Sequence, residues 1–389
     1  MKDKDSKVII KNKSIRYLRI YLNKNKFNTI FIVRGNKSFK NSEAEKEIKS
    51  MSNDFNFIFF NKFSSNPKYS DALVGAKIFI KQKCDCIISI GGGSVIDMGK
   101  LINVFQSHKS IEKDIILGIK KINRKLKPFI AIPTTSGSGS ECTHFAVVYL
   151  KEKKYSIAST DLVPDLALVD YSLTLKLPRY QTACSGMDAL SQAIESYWSV
   201  RSNIESRKYA RKSIKLAINN LFDSVNNPSQ ISRKNMMVAS HFAGKAINIT
   251  KTTAPHALSY KISQVLKIPH GHAVAITLGY FFELNHFSCD INGPRSKVYL
   301  KKIMNQVYKY MGTNSPEKSK KKWFNLMSDL GLENDFKKLF RNNNGNRSVK
   351  KYNIRYIVKS INIERLQNHP VKLSNKQLEN IFFSVSWQG

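Results

Sequence analysis

The residue types able to do chemistry in this 389-residue chain gather between Cys184 and His272. Asp188 opens the set and His256 and His270 close it, and a carboxylate with two imidazoles is the minimum protein set for a divalent metal that keeps open coordination positions. Asp188 and Gln192 lie four residues apart in a stretch of helical spacing, so both side chains leave one face of a helix. Glu195 lies on a neighbouring part of that helix, where it can hold the helix in place. His256 and His270 are 14 residues apart (270 minus 256), enough for each to arrive from a different helix or loop, and each follows a proline, in Pro255-His256 and Pro269-His270-Gly271-His272. A lone Asp or His would be read as a cap or a satisfied polar residue; the combination points to a metal.

The elements that must position this set change character along the chain. Thr29–Val33 is a continuous apolar run ending at Arg34-Gly35-Asn36-Lys37-Ser38, expected as the first strand of an α/β sheet, and Asn56–Phe60 is a second such run. Helical spacing covers Tyr69–Lys81. Asp85–Ile90 reads as a third strand and runs straight into Gly91-Gly92-Gly93-Ser94-Val-Ile-Asp97-Met-Gly-Lys100. Consecutive glycines let the backbone approach a pyrophosphate, and a helix starting near Ser94 turns its free N–H groups toward the phosphates; the alternative is a plain tight turn. Pro128–Ile132 is a fourth strand, followed by Pro133-Thr134-Thr135-Ser136-Gly137-Ser138-Gly139-Ser140-Glu141, whose hydroxyls can meet a ligand over the carboxyl edge of a parallel sheet. Ala146–Tyr149 and Lys154–Ile157 read as a hairpin and Ala167–Val169 as a last strand. Beyond Pro178 the apolar spacing is helical, with a polar loop at Arg341–Arg347. The fold class expected is therefore an α/β domain over 1–178 joined to an all-α domain over 179–389.

Composition narrows the function classes. Apolar residues make up 42% and charged residues 24%, ordinary for a globular chain. Five cysteines, an odd number without a regular framework, suit a reducing compartment, and the charged start is followed by no apolar run long enough for a signal peptide or a membrane span; the expectation is a cytoplasmic protein with no membrane role. A net charge of +36 raises polyanion binding, but the lysines are scattered among Asn and Ile, which reads as solvated basic faces without specific nucleic-acid recognition. An anionic small substrate remains compatible with that charge.

With these residues in order, the chain resembles the iron-containing (group III) alcohol dehydrogenases across roughly 29–383. The motifs that carry the likeness are Gly91 to Lys100, Pro133 to Glu141, Gly186-Met-Asp188-Ala-Leu, and His256 with Pro269-His270-Gly271. The resemblance implies a nucleotide-binding domain, a helical domain, a metal in the cleft between them, and a homodimer or larger assembly. It makes Gly91, Gly92, Gly93 and Ser94 the pyrophosphate cradle with Asp97 in support, places Thr134, Thr135 and Ser138 along the cofactor, and sends Lys154 to a ribose. Asp188, His256 and His270 become the metal ligands. Where the iron enzymes usually carry a histidine four residues after the aspartate, this chain has Gln192, which leaves Fe2+ with a weak fourth ligand or a Zn2+ site of the Asp/His/His kind as alternatives. Gly35 stands where NAD-preferring relatives carry an aspartate; with Lys37 and Ser38 beside it a 2′-phosphate fits, which leans the cofactor toward NADPH over NADH.

A narrower resemblance, to the phosphonoacetaldehyde reductases, rests on the stretches Cys184–Trp198, Asn248–Tyr260, Ile268–His272 and Arg365-Leu-Gln-Asn-His-Pro370. It implies reduction of a small anionic aldehyde, with Lys251 as charge partner of the phosphonate, Tyr260 shaping the pocket and His272 relaying a proton or serving structurally. The alternatives are a dehydrogenase of a short alcohol, diol or hydroxyacid, a dehydroquinate-synthase-like lyase, and a non-catalytic polyanion binder.

Overall fold

The computed structural model describes residues 6–151, 153–336, 338–339, 351–359, 361 and 366–386; the loop expected at Arg341–Arg347 and the Arg365 end of the last motif lie outside them. The chain divides into two compact units, Met1–Leu177 and Pro178–Gly389.

The first unit is built on strands β1 (Lys7–Ile10), β2 (Thr29–Arg34), β3 (Asn56–Phe60), β4 (Cys86–Gly91), β5 (Phe129–Pro133) and β8 (Leu166–Val169), which form one parallel sheet in the order β1-β8-β5-β4-β2-β3. A separate antiparallel hairpin pairs β6 (Phe145–Leu150) with β7 (Lys153–Ala158). A parallel strand covered on both faces reads as an unbroken apolar run, which is why the central strands were legible locally. Helices α1 (Tyr17–Lys24), α2 (Lys37–Asn41), α3 (Ala44–Lys49), α4 (Tyr69–Lys81), α5 (Gly93–Ser107) and α6 (Glu112–Ile116) complete the unit. Phe31, Val33 and Ile87 face a core with α4 and α5, whereas Ile30, Ile32 and Ile88 face an opposite core that takes in Leu18, Leu22 and Ile48. One expectation needs correction: Thr29 does not begin the first strand. Lys7–Ile10 precedes it and pairs with β8, register Lys7↔Leu166 to Ile10↔Val169. Val8-Ile9-Ile10 is a short apolar run inside a basic, polar stretch, and its partner lies far along the chain.

Register Arg34↔Ile90 and Gly91↔Pro133 brings the loops after β2, β4 and β5 to one carboxyl edge of the sheet. Strand order reverses between β2 and β4, the place where open α/β sheets bind their ligands.

The second unit is helical: α7 (Arg179–Trp198), α8 (Ile204–Asn226), α9 (Gln230–Thr250), α10 (Ala254–Leu266), α11 (His270–Leu278), α12 (Phe281–Phe287), α13 (Lys297–Tyr310) and α14 (Pro316–Asp329), with further helices at Lys351–Lys359 and Asn375–Ser386. Helix α7 is its axis, buried without a break from Thr182 to Trp198. Capping boxes at Asn203/Ser206 and Ser229/Ser232 define the starts of α8 and α9. Among the described residues no helix is long and apolar enough to cross a membrane. All five cysteines are free, and only Cys289 is exposed.

Candidate metal centre and nucleotide loops

In the second unit α7 carries Asp188 and Gln192 on its buried face, α10 presents His256 just after Pro255, and α11 begins at His270. Ligand atoms of Asp188, His256 and His270 all lie within 4.8 Å of one another. The close approach has a local cause: a Cβ on Gly271 would stand 1.9 Å from the Cys184 carbonyl oxygen and 2.9 Å from Asp188 Cβ, so only glycine after His270 lets α11 press against α7 there.

The two imidazoles are oriented by their outer nitrogens. His256 Nδ1 hydrogen-bonds Glu195 Oε1, and Glu195 Oε2 accepts from the Thr253 backbone N–H at 2.6 Å and its hydroxyl at 2.7 Å. Trp198 Nε1 donates to the same Thr253 Oγ1 at 3.0 Å. Glu195 is fully buried, so its charge is met by these donors. With Nδ1 committed, His256 Nε2 faces Asp188 Oδ1 at 3.3 Å. Ser259 donates to the His256 carbonyl at 2.7 Å, which leaves its oxygen, 3.2 Å from His270 Nδ1, to accept from that ring; His270 Nε2 then lies 3.9 Å from Asp188 Oδ1. Tyr260 stacks on His270, ring centroids 5.6 Å apart and 10° from parallel. A carboxylate or hydroxyl holding the far nitrogen of a histidine is how proteins set the tautomer of metal ligands.

Three buried atoms at this point, Asp188 Oδ1, Gln192 Oε1 and His256 Nε2, have no hydrogen-bond partner of good geometry. Buried polar atoms left without partners are costly, and a cation held between Asp188 and the imidazoles would offset that cost. Burial pulls His256 down, but the Glu195 and Asp188 carboxylates reverse this and push it up to about 9; burial likewise opposes ionisation of Asp188, and the two histidines hold it below its ordinary value. The donor set of carboxylate, two imidazoles and an amide oxygen fits a divalent ion.

His272 is displaced from this cluster in its bonding. Its Nε2 donates to the Glu333 carbonyl at 2.6 Å, its Nδ1 pairs with the Tyr180 hydroxyl at 3.0 Å, and burial lowers its basicity. Lys251 caps the C-terminus of α9 with backbone φ 58°, ψ 179°.

In the first unit the two glycine-bearing loops meet. Gly92 caps α5, whose first residues are Gly93 and Ser94; a Cβ on Gly93 would stand 2.6 Å from Ser138 Oγ and one on Gly92 would stand 3.3 Å from Thr135 Oγ1. The Thr134 N–H bonds the Gly91 carbonyl at 3.0 Å, and Thr134 Oγ1 is buried without a partner. Asp97 ties the loops together by accepting from Ser140 Oγ at 2.6 Å and the Val147 N–H at 3.1 Å. Sequence reasoning missed Lys100, which is 1% exposed and donates to the Ser140, Thr143 and Phe145 carbonyls at 2.7, 2.7 and 3.1 Å. Its place one turn after Asp97 on the helix was the available signal. Lys154 lies opposite Tyr149 on the hairpin, within electrostatic reach of Asp97. Gly35 follows β2 beside Ser38, whose Oγ stands 2.3 Å from where a Cβ would lie, and Lys37 is exposed next to it.

Two family models match the chain, iron-containing alcohol dehydrogenase over residues 5–171 and the C-terminal domain of the Fe-containing alcohol dehydrogenase family over residues 182–385. The chain belongs to the iron-containing alcohol dehydrogenase family. Aldehyde-alcohol dehydrogenase 2 of Entamoeba histolytica is 31% identical over 72% of this chain, and the 1,3-propanediol dehydrogenase of Citrobacter freundii 32% over 65%. The matched stretches span 33% and 66% of those two relatives' own lengths. Among solved structures of iron-containing alcohol dehydrogenase fold, the sulfoacetaldehyde reductase of Bifidobacterium kashiwanohense in complex with NAD+ superposes with a TM-score of 0.86 at 26% identity, covering 99% of this chain and 98% of that one. Members of this family use NAD(P) and a divalent metal, the pairing that the loops of the first unit and the donors of the second unit suit.

Proposed function

We propose that the protein is a metal-dependent, NAD(P)H-linked reductase of a small aldehyde, that its substrate is an anionic one, phosphonoacetaldehyde, and that NADPH is the preferred cofactor. The observation that carries this reading is the convergence of Asp188, His256 and His270 within 4.8 Å of one another, with imidazoles already turned by Glu195 and Ser259, and with Gln192 Oε1 buried without a partner one turn along α7. A divalent ion there supplies Lewis acidity toward a carbonyl oxygen, and a nicotinamide supplies the hydride. The chain's own residues hold and aim. Asp188, His256 and His270 are assigned as ligands with Gln192 as a weaker fourth, which suits Zn2+ or Fe2+. Gly91, Gly92, Gly93 and Ser94 take the pyrophosphate at the start of α5, Asp97 and Lys100 fix the facing hydroxyl loop, and Thr134, Thr135, Ser138 and Lys154 line the cofactor. Gly35, Lys37 and Ser38 are assigned to a 2′-phosphate, with Lys37 supplying the charge.

Tyr260 stacked on His270 walls the pocket. His272, bonded to the Glu333 carbonyl on one side, can pass a proton only through the Tyr180 hydroxyl on the other. Lys251 is assigned to the substrate's anionic group, and the sulfoacetaldehyde reductase, similar over nearly the whole chain, acts on an aldehyde that also carries an acidic group. The similarity to a 1,3-propanediol dehydrogenase favours a second reading, a dehydrogenase of short diols. We further propose a cytoplasmic homo-oligomer.

The test is a panel of phosphonoacetaldehyde, sulfoacetaldehyde, propanal and lactaldehyde with NADH and NADPH, run on protein whose metal content has been measured. Preference for the anionic aldehydes supports the reading. Equal or better turnover of the neutral ones removes the anionic substrate, and turnover without net cofactor oxidation points instead to a lyase.

A further inference from the structure

Lys251 occupies a corner of backbone space that is left almost entirely to glycine, φ 58° with ψ 179°. Two other positive-φ lysines, Lys13 and Lys267, have ψ of 31° and 34°, the ordinary left-handed conformation. A conformation of this kind persists only when its surroundings over-determine it. Here one side chain spans both sides of the residue. Asn368, 3% exposed and 117 residues further on (368 minus 251), donates from the same Nδ2 to the Thr250 carbonyl at 2.8 Å and the Thr252 carbonyl at 2.9 Å, the two carbonyls that bracket Lys251. Its Oδ1 accepts from Ser199 Oγ at 2.8 Å, and its own carbonyl accepts from the Val200 N–H at 3.1 Å, which anchors the bridge to the end of α7. The Thr250 hydroxyl adds a bond to the Lys251 carbonyl at 2.8 Å. Directly beyond the turn stands Thr253, bonded to Glu195, and then the helix that carries His256.

We infer that Asn368 is a positioning residue for substrate: by bridging the Thr250 and Thr252 carbonyls it keeps Lys251 in a backbone conformation that lysine does not otherwise hold, and so sets the direction in which the Lys251 ammonium is offered to an anionic aldehyde. The inference rests on the anionic-substrate reading for its functional half and on the geometry alone for its conformational half. A side chain that leaves the backbone from a different φ points elsewhere, so loss of the bridge acts on substrate affinity before it acts on the metal or the chemistry.

The experiment is a double-mutant cycle on the metal-loaded protein with Asn368→Ala and Lys251→Gly. Asn368→Leu, which keeps roughly the volume but loses the donors and adds no charge, replaces Asn368→Ala if that variant does not fold. Asn368→Ala is expected to raise KM for phosphonoacetaldehyde about tenfold with kcat and metal content within about twofold, a difference of roughly one factor of ten in binding. In the Lys251→Gly background the same change is expected to leave KM unmoved. Thermal midpoints, read without substrate, decide the conformational half. Lys251→Gly should raise the midpoint when Asn368 is present and leave it unchanged when Asn368 is absent, because the strain it relieves has then already relaxed. Equal shifts in both backgrounds, or a KM effect of Asn368→Ala that persists in Lys251→Gly, would overturn the inference. If the parent protein shows no preference for anionic over neutral aldehydes, the substrate reading falls, while the thermal cycle still decides whether Asn368 holds Lys251 in its strained conformation.

Discussion

At the scale of single residues the site is a set of commitments. His256 commits Nδ1 to Glu195 and His270 commits Nδ1 to Ser259, and each therefore turns its other nitrogen toward Asp188. Asp188→Ala or His270→Ala should abolish bound metal and reductase activity while nicotinamide cofactor binding, followed by fluorescence, stays near that of the parent; full metal occupancy in either variant would remove that residue from the ligand set. Glu195→Gln keeps the shape but withdraws a fully buried charge from behind His256. Removing such a partner typically weakens metal affinity about 10–100-fold, and competition with a chelator of known strength measures it. Unchanged affinity would mean that the shape of the side chain at 195, and not its charge, is what holds the His256 ring.

At the scale of elements, what matters is how closely α11 approaches α7. Gly271 allows it, because any side chain there would run into the Cys184 carbonyl, a backbone atom that cannot swing aside. Gly271→Ala should cost about 1–3 kcal/mol of stability through overpacking and lower the metal content as His270 moves away from Asp188. Gly186, also on α7, is the control: its Cβ would meet Leu221 Cδ1, the free end of a side chain. Its alanine variant should lose less than about 1 kcal/mol, since better helix propensity offsets part of the crowding. Urea unfolding of both variants with metal bound makes the comparison, and equal losses would show that the α7–α11 contact yields.

At the scale of the whole molecule, an excess of 36 positive charges acts on both solubility and partners. Self-repulsion destabilises a compact state and is screened by salt. The midpoint of thermal unfolding should therefore rise with added salt, and adventitious binding to duplex DNA should fall at least tenfold between about 50 and 200 mM salt. Salt-insensitive binding, seen in a gel-shift or anisotropy titration, would reveal a dedicated nucleic-acid site.

Much of this protein was legible in its sequence. The central strands, each a run of apolar residues, the β4–α5 glycine loop and the helical spacing of the second half are local patterns, and local patterns follow from side-chain burial and backbone sterics acting over a few residues. The residue types of the proposed metal site at Asp188, His256 and His270 were equally visible, as were the proline and glycine beside the histidines. Tertiary structure alone decided what no neighbour in sequence reports. It paired Lys7–Ile10 with β8, placed Lys100 under three loop carbonyls, set Glu195 behind His256, and brought Asn368 across to the two sides of Lys251. Each of these is a contact between segments whose sequences carry no mark of one another, made specific only when packing excludes water and obliges every buried polar group to find its partner.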